Sequence, residues 1–563
     1  MPRHRTLLTA LVLLTIVAPA TSQPSDSLLA KNGMVVSSSP LASQAGAAIM
    51  RQGGNAFDAA AATGFALAVT YPQAGNLGGG GFMVAHTASS NNISLDFRET
   101  APSSADRDMY LDDNGDVVPG LSLRSALASG VPGSVDGLLR LWEDHGSGAI
   151  SREVLLAEAI RLAAEGFPLN ASLAKSLNGR AESFKKNAPS FTRTDGEPWT
   201  EGDLLIQPDL AETLRRIAEH GKDGFYTGKV ATLIADQQAQ AGARITREDL
   251  AEYQAVYRDP VEGSFNDYRI VSMGAPSSGG ILLVQMLNML EARPLEDFPR
   301  GSTEYVHLLT EVQRRAYADR AQHLGDPDYW NVPTRTLTSK PYATARAYSI
   351  DPHAATPSSD VHAGAAAQPE SPETTHYSVV DAKGNAVAVT VTLNGSFGSG
   401  IVVDGAGFFM NNEMDDFSIK PGVPNLYGLI GGEANAIEPG KRMLSSMTPT
   451  VILKDDKPAI VLGSPGGSTI ITTVLQVFLN VATHGMSIQD AVAAPRHHSQ
   501  WLPDAIRYEE GAISREAEDA LIVLGHPSLR KTSFIGAANC IAIDASGIHG
   551  APDPRRGGSA AGY

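Results

Sequence analysis

The sequence predicts a layered fold in which sheets pack together and helices cover their outer faces. One β-hairpin is indicated by HYSVVDA and AVAVTVTLN around a turn at residues 383–385, and a second by TVILK and AIVLGS around DDKP. A long helical pattern, STIITTVLQVFLNVATHG, follows the second hairpin. Hairpins flanked by helices favour sheets that bury one face against each other and the opposite face against helices. The expected fold class is therefore α/β, of the α+β kind.

The first half of the chain supplies helices and strands that fit this arrangement. Residues 40–70 are predicted to form two helices, of which the first, PLASQAGAAIMRQ, ends at Gly53 and Gly54. The second, NAFDAAAATGFALAV, is rich in alanine and suited to close packing. Two strand-like runs follow, FMVAHTA and ISLDFRE, and helical patterns return at SREVLLAEAIRLAAEG and EYVHLLTEVQRRAYADRAQHL.

Residues 351–373 differ in character from both flanking regions. They are rich in proline, alanine and serine and show no hydrophobic periodicity, which is typical of a flexible connector. The β pattern begins directly after them, at Thr374. We therefore expect a flexible linker over residues 351–373.

Residues 1–23 predict a secretory signal peptide. Arg3, His4 and Arg5 precede the apolar run LLTALVLLTIVA and the small residues of APATSQ. The run is shorter than the ~20 residues that a membrane span needs, although a permanent anchor is the alternative. We expect an exported protein, in the periplasm or outside the cell, with no membrane anchor after the signal is removed.

The net charge and the cysteine content argue against non-specific nucleic-acid binding, a disulfide within the chain and a catalytic thiol. A formal net charge of −17 argues against non-specific nucleic-acid binding. An anionic substrate would therefore need local cations inside its site. Cys540 is the single cysteine, so no disulfide can form within the chain. Its context, NCIAIDA, predicts a core strand, where a catalytic thiol would lack an activating neighbour.

Thr374 is a candidate nucleophile if the peptide bond before it is cut. Its hydroxyl would then lie beside a new α-amino group, whose reference pKa of ~7.7–8.0 suits a general base near neutral pH. A threonine activated by its own amine is one recognised form of nucleophilic catalysis. Taken alone, these residues are better explained as a linker that enters a domain.

The two glycine-rich segments differ in what they indicate. GNLGGGGF fits the spacing of neither a dinucleotide-binding motif nor a P-loop. GSPGGST, at residues 463–469, lies between a predicted strand and a predicted helix. Backbone N–H groups at such a junction can point together at a developing oxyanion. A tight strand-to-helix turn is the alternative.

No metal site and no cofactor are predicted. His497 and His498 are adjacent on a predicted strand, so their side chains point to opposite faces and cannot readily chelate one ion. No other spacing resembles a zinc or calcium site. NNEMDDF gathers Glu413, Asp415 and Asp416, which are either solvated turn residues or able to hold a substrate ammonium.

The order of motifs resembles that of the γ-glutamyltransferases over essentially the whole mature sequence. The motifs are NLGGGGF, DFRETAP, TTHYSVVD, TLNGSFGSG, NNEMDDFS, PGVPNLYGL, LSSMTPT and GSPGGS. The resemblance implies an Ntn-hydrolase fold, a four-layer αββα sandwich of two intertwined subunits cut from one precursor. It implies autocatalytic cleavage between Glu373 and Thr374. The large subunit would span residues 24–373 and the small catalytic subunit residues 374–563, held together as a heterodimer.

The resemblance also implies roles for individual residues. Thr374 matches the nucleophile, and Thr392 matches the threonine whose hydroxyl bonds to it. Gly466 and Gly467 match the glycines of the oxyanion hole, and Tyr427 matches a lid residue. The residues that match the α-carboxylate-binding set are Arg98, Ser445 and Ser446, and those that match the α-amino-binding set are Asn394, Glu413 and Asp416.

These matches imply an enzyme that cleaves the γ-glutamyl amide bond of glutathione and other γ-glutamyl compounds. It would transfer the γ-glutamyl group to water or to an amino acid or peptide acceptor. One alternative is a related Ntn acylase acting on glutaryl-cephalosporins or on poly-γ-glutamate. The complete ammonium-binding set weighs against the first of these substrates and the lid against the second. Another alternative is an inactive secreted binding protein, against which the intact Thr374 and Thr392 argue.

Overall fold

The computed structural model describes residues 27–293, 295–362, 374–420, 422–426, 428–429 and 431–563. The predicted signal peptide and Tyr427 therefore lie outside the described residues. The helices of this part are α1 (Pro40–Arg51), α2 (Ala56–Thr70), α3 (Leu121–Arg124), α4 (Ser134–His145), α5 (Arg152–Glu165), α6 (Ala171–Asn178), α7 (Ala181–Asn187), α8 (Pro208–His220), α9 (Asp223–Tyr226), α10 (Gly228–Gln240), α11 (Arg247–Glu252), α12 (Gly279–Glu291), α13 (Thr303–His323), α14 (Thr334–Leu337), α15 (Lys340–Tyr348), α16 (Thr469–Ala482), α17 (Ile488–Ala493) and α18 (Arg515–Val523). None of the described helices combines the length and the apolar character that crossing a bilayer requires.

Two large sheets form the centre of the molecule. The strands are β1 (Leu28–Ala30), β2 (Gly33–Ser37), β3 (Gly80–His86), β4 (Asn92–Phe97), β5 (Phe167–Pro168), β6 (Leu204–Leu205), β7 (Val256–Arg258), β8 (Val261–Phe265), β9 (Tyr268–Ser272), β10 (Thr375–Asp381), β11 (Ala386–Thr392), β12 (Thr450–Lys454), β13 (Lys457–Leu462), β14 (His497–His498), β15 (Ile506–Tyr508), β16 (Leu529–Lys531), β17 (Cys540–Asp544), β18 (Gly547–Ala551) and β19 (Ser559–Gly562). The first sheet has seven strands in the order β1-β18-β17-β13-β12-β9-β8. The second also has seven, in the order β19-β2-β10-β11-β3-β4-β7. All pairings within these two sheets are antiparallel.

Three apolar interfaces stack the sheets and helices into four layers. The inner faces of the two sheets meet in one cluster, to which the second sheet contributes Val380 and the first Val451. Val379, the neighbour of Val380, points the other way and packs with the α2 residue Phe65. Helices α12, α13 and α16 cover the outer face of the first sheet. The predicted αββα sandwich is therefore confirmed.

Local sequence explains why these elements form where they do. Helix α2 begins with a capping box. The Asn55 side chain accepts the Asp58 backbone N–H, and the Asp58 side chain accepts the Asn55 backbone N–H. Helix α1 is followed by Gly53 at a φ of 99°, a conformation that favours glycine. Both predicted hairpins are present, as β10–β11 and β12–β13.

Several functional segments meet at one end of this sandwich. Thr374 directly precedes β10, and β11 runs back so that Thr392 ends beside it. Strand β4 ends at Phe97 and leads into Arg98. Strand β13 ends at Leu462 and leads through the glycine-rich turn into α16. The antiparallel order of β10, β11, β3 and β4 therefore brings the nucleophile candidate and the candidate cation to the same end.

The first part of the predicted linker is held against the protein. The Ala355 N–H donates to Leu524 O at 2.7 Å. The Ser358 hydroxyl donates to Trp501 O at 2.7 Å, and the Trp501 indole N–H donates back to Ser358 O at 2.8 Å. Residues 351–362 of this segment therefore contact the body of the protein, while residues 363–373 lie outside the described part, so the flexible connector stays a prediction. These partners are more than 140 positions away along the chain, with a separation of 143 for Ser358 and Trp501. A local sequence pattern therefore cannot predict these contacts.

Candidate active site

A cavity with an empty volume of about 290 Å³ lies at this end of the sandwich. The residues that line it are Arg98, Arg320, Thr374, Thr392, Asn394, Glu413, Asp416, Leu429, Ser445, Ser446, Met447, Gly467 and Ile470. All the site residues predicted from the sequence are in this set except Gly466, which precedes Gly467 in the chain, and Tyr427. The structure thus gathers segments of the chain that are hundreds of positions apart.

The Thr374 hydroxyl lies beside a second hydroxyl whose position is fixed by the backbone. Thr374 is 3% exposed, and its Oγ1 is 3.4 Å from Thr392 Oγ1. Thr392 Oγ1 also accepts the Asn394 N–H at 2.8 Å. Asn394 adopts a φ of 70°, in the left-handed region that asparagine tolerates better than most residues. The turn after β11 therefore holds Thr392 against the candidate nucleophile.

The turn between β13 and α16 requires glycine. Gly466 and Gly467 have φ values of 137° and 55°. A Cβ on Gly466 would lie 2.3 Å from Thr469 Oγ1, which donates to Gly466 O at 2.7 Å. Gly467 lines the cavity together with Thr374. Backbone N–H groups at such a junction can stabilise a developing oxyanion, and this role of Gly466 and Gly467 stays a prediction.

Arg98 is the central cation of the cavity. Its side chain is 1% exposed and forms ion pairs with Glu413, from Nη1 to Oε2 at 2.6 Å, and with Asp416, from Nη2 to Oδ2 at 2.5 Å. Burial works against the guanidinium charge, but the two carboxylates outweigh it and hold the pKa of Arg98 above its usual range. Arg98 is therefore a permanent positive charge in a site shielded from water.

The carboxyl groups around Arg98 favour a further positive charge. Burial raises the pKa of Glu413 and of Asp416, and the Arg98 guanidinium opposes that rise in both. Glu99 adds a third buried carboxyl, with its Oε2 at 3.6 Å from Arg98 Nη1, and burial raises its pKa as well. Carboxyl groups in such surroundings are stabilised by a proton or by a bound cation.

Arg320 is a cavity residue that the sequence did not reveal. It lies on α13, and its Nε donates to Ser278 Oγ at 3.0 Å and its Nη2 to Ser446 Oγ at 3.3 Å. It therefore adds a second cation and orients one of the two predicted carboxylate-binding serines. Within QRRAYADRAQH it is one of several arginines. Its inward orientation depends on how α13 packs, which a helical charge pattern does not show.

Asp415 does not line the cavity, unlike its neighbours Glu413 and Asp416. Its carboxylate accepts the Ser122 hydroxyl at 2.6 Å and the Leu426 N–H at 2.6 Å. Asp415 therefore ties the chain at residues 425–426 to the body of the protein. Burial raises the pKa of Asp415 to about 6.

Asp415→Asn is expected to remove a pH dependence of stability. Because the pKa of Asp415 is raised on folding, the native state binds its proton more tightly than the unfolded chain, and ionisation costs stability as the pH rises from about 4 through about 6. Between about pH 5 and about pH 7, the melting temperature should therefore fall further in the parent than in the variant. Calorimetry on an uncut Thr374→Ala background measures this difference.

Ser122→Ala is the matched control for that measurement. It removes one hydrogen bond to Asp415 but leaves the titrating carboxyl in place, so the pH dependence should persist. Parallel melting curves for the parent and Asp415→Asn across this pH range would contradict the assignment.

Two buried histidines, His498 and His307, hydrogen-bond to other described residues, whereas His497 Nε2 has no such partner there. His498 bonds to Thr472 of α16 through Nδ1 at 2.8 Å, and burial lowers the pKa of His498 to about 3. The side chains close enough to share a metal ion are His307, Glu311 and His526. The two histidines hydrogen-bond to each other at 2.9 Å, and Glu311 is already paired with two arginines, Arg314 and Arg315. The facing nitrogens of the two histidines and the Glu311 carboxylate therefore already have protein partners, whereas His526 Nδ1 has no hydrogen-bond partner among the described residues.

Comparisons with known proteins extend over nearly the whole chain. The family model described as gamma-glutamyltranspeptidase matches residues 42–563. A glutathione hydrolase proenzyme from Escherichia coli (strain K12) is 48% identical over 530 residues, which cover 93% of this chain and 91% of that protein. The cephalosporin acylase from Bacillus halodurans has a TM-score of 0.82 at 27% identity, covering 98% of this chain and 99% of the other. The gamma-glutamyltranspeptidase from Helicobacter pylori has a TM-score of 0.57 at 42% identity, covering 61% of this chain and 97% of the other.

Proposed function

Because the chain belongs to the gamma-glutamyltranspeptidase family, an enzyme family with the Ntn-hydrolase fold, we propose that its cavity binds the γ-glutamyl group of glutathione and related compounds and that Thr374 cleaves the γ-amide bond. One observation carries the proposal. A single small cavity joins the Thr374 hydroxyl to a buried guanidinium, to the buried carboxyl of Glu413 and to the partly exposed carboxyl of Asp416. These charges complement the zwitterionic head of an α-amino acid.

The substrate head group would exchange with ion pairs that already exist. The Arg98 guanidinium is bound on two sides by Glu413 and Asp416. An incoming α-ammonium would take over these carboxylates with the Asn394 side chain, while the α-carboxylate would take over the guanidinium with Ser445 and Ser446. Each buried charge then keeps an opposite partner, which a neutral or singly charged head group could not provide.

The proposed reaction begins after the bond before Thr374 has been cut. Thr374 Oγ attacks the γ-carbonyl carbon, and the Thr374 α-amine accepts the hydroxyl proton. The N–H groups of Gly466 and Gly467 stabilise the tetrahedral oxyanion, a contribution of about 3–4 kcal/mol per donor. The amine then gives its proton to the leaving nitrogen, and a γ-glutamyl ester remains on Thr374. Water, an amino acid or a peptide attacks the ester and releases the γ-glutamyl group.

We propose a processed heterodimer, with a large subunit over residues 24–373 and a small subunit over residues 374–563. Both large sheets contain strands from each of these parts: β2 and β10 are neighbours in the second sheet, and β12 and β9 in the first. The two products of cleavage would therefore stay paired strand by strand. The signal at residues 1–23 supports export, to the periplasm or beyond it.

A related acylase activity is the second candidate, because the cephalosporin acylase of Bacillus halodurans has a similar fold. A glutaryl group carries no α-ammonium, so Glu413 and Asp416 would lose their cation partner to a substrate carboxylate that competes for Arg98. The test compares γ-glutamyl and glutaryl anilides on processed protein whose two chains are verified by intact mass. We expect the γ-glutamyl anilide to be strongly preferred, and a preference for the glutaryl anilide would overturn the assignment.

Exhaustive chelation is expected to leave the turnover of γ-glutamyl anilide unchanged. In the proposed reaction the base is an amine and the oxyanion is held by N–H groups, so no step requires a Lewis acid. Turnover before and after dialysis against a strong chelator measures this. A loss that zinc or manganese restores would contradict the mechanism.

A further inference from the structure

Strand β10, which directly follows the candidate nucleophile Thr374, pairs with β11 from its first residue but with β2 only from Ser378 onward. On the β11 side the pairing of β10 extends to its first residue, with Thr375 opposite Val391. On the β2 side the pairing begins only at Ser378, opposite Val36. A cut before Thr374 would turn this half-paired segment into a chain end, and unsupported chain ends fray.

On the β2 side, the start of β10 is contacted by side chains instead of by a paired strand. Ser38 Oγ and Thr375 Oγ1 hydrogen-bond at 2.9 Å. The Asn539 side-chain amide donates to Ser38 Oγ at 3.2 Å and to His376 O at 3.0 Å. Ser38 follows β2 and Asn539 precedes β17, so the contact joins both sheets to the start of β10. All of these residues are at least nine-tenths buried.

We propose that Ser38, Thr375 and Asn539 form a clamp that positions Thr374 after it has become a chain end. The proposal rests on the proposed function, in which the Thr374 hydroxyl must reach the γ-carbonyl carbon while the Thr374 α-amine reaches first that hydroxyl and then the leaving nitrogen. None of the three residues lines the cavity, so they act through Thr374 as positioning residues. A misplacement of about 1 Å in a reacting group can cost on the order of a hundredfold in rate.

The clamp makes a prediction that a purely structural role does not. Without it the substrate pocket keeps its shape, because Arg98 and the carboxylates are held by other contacts. Binding should therefore persist while acylation slows. The pH dependence of acylation should also change, because the α-amine that acts as base would no longer be held in one environment.

The experiment compares two substitutions of Thr375 in fully processed protein. Thr375→Val removes the hydroxyl and keeps the shape, whereas Thr375→Ser keeps the hydroxyl. We expect Thr375→Val to lower kcat for γ-glutamyl anilide by between about tenfold and about a hundredfold, with KM within about twofold of wild type and a shifted pH profile. Thr375→Ser should restore both kcat and the pH profile.

Thr213→Val is the matched control. Thr213 is equally buried, donates to Ala406 O at 2.9 Å and lies on α8, away from the cavity. It should lower the melting temperature without changing kcat or the pH profile. If Thr375→Val retained the wild-type kcat and pH profile, or matched Thr213→Val in both, the clamp would be wrong.

Ser38→Ala repeats the test without altering β10, in case Thr375→Val is not cut. The same fall in kcat with an unchanged KM is expected. Lack of processing in both variants would overturn the clamp as a device that acts after cleavage. Wild-type protein without γ-glutamyl turnover would instead overturn the proposed function, so the two failures can be told apart.

Discussion

Thr374→Ala is expected to leave the chain uncut and to lower γ-glutamyl turnover by on the order of 10⁴- to 10⁶-fold. Alanine has no hydroxyl to attack the preceding carbonyl, so neither the cut nor the acyl-enzyme can form. In wild-type protein, intact mass should show two chains, and Edman sequencing of the smaller should begin Thr-Thr-His-Tyr. The variant should give one chain.

Thr374→Ser is the matched control for this prediction. Serine retains a hydroxyl at the same position, 3.4 Å from Thr392 Oγ1 in the parent, and should support measurable processing and turnover. Efficient cutting of Thr374→Ala in a protease-deficient preparation would show that another protein makes the cut. The autocatalytic mechanism would then be abandoned.

Asp416→Ala is expected to lower kcat/KM for γ-glutamyl substrates by between about 30-fold and about 4,000-fold. Asp416 is the carboxylate that pairs with Arg98 at 2.5 Å, and in the proposed complex it pairs with the α-ammonium. Removing one partner of a buried charge pair costs about 2–5 kcal/mol, because the other charge is left unpaired. A tenfold change in rate corresponds to about 1.4 kcal/mol. A glutaryl anilide brings no ammonium, so its slow turnover should stay similar or rise.

Asp415→Asn is the control for selectivity, because it alters the adjacent carboxyl, which lies outside the cavity lining. The ratio of γ-glutamyl to glutaryl turnover should stay close to that of wild type in this control and should collapse in Asp416→Ala. Processing must be verified in each variant, since an uncut precursor would mimic a loss of activity. An equal loss of both substrates in processed Asp416→Ala would contradict ammonium recognition at this position.

The layered fold was predictable because its signals are local. Alternation along β10 points Val379 to the helices and Val380 to the opposite sheet, and both hairpins have turn residues between such runs. The site was predictable mainly through the resemblance of ordered motifs. No spacing along the chain shows that Arg98, Thr374 and Ser446 meet, since their approach depends on how the two sheets pack.

The residues that were missed share one property. Arg320, Ser38 and Asn539 are polar residues whose burial depends on tertiary packing rather than on their own element. A single arginine on a charged helix or one serine among three gives no local signal of an inward orientation. The anchored segment at residues 351–362 is similar, because its bonds run to distant backbone groups such as Leu524 O. Composition alone cannot distinguish such a segment from an unbound one.

The strand order also sets a limit on when the protein can become active during its synthesis. Gly562 of β19 pairs with Met34 of β2, and Gly550 of β18 pairs with Leu28 of β1. Each sheet therefore joins a strand within residues 28–37 to a strand within residues 547–562, and contacts of such long range form slowly. A nascent chain cannot complete the two sheets before the ribosome has added β18 and β19. If the proposed cut requires the finished sandwich, it would follow the translation of β18 and β19.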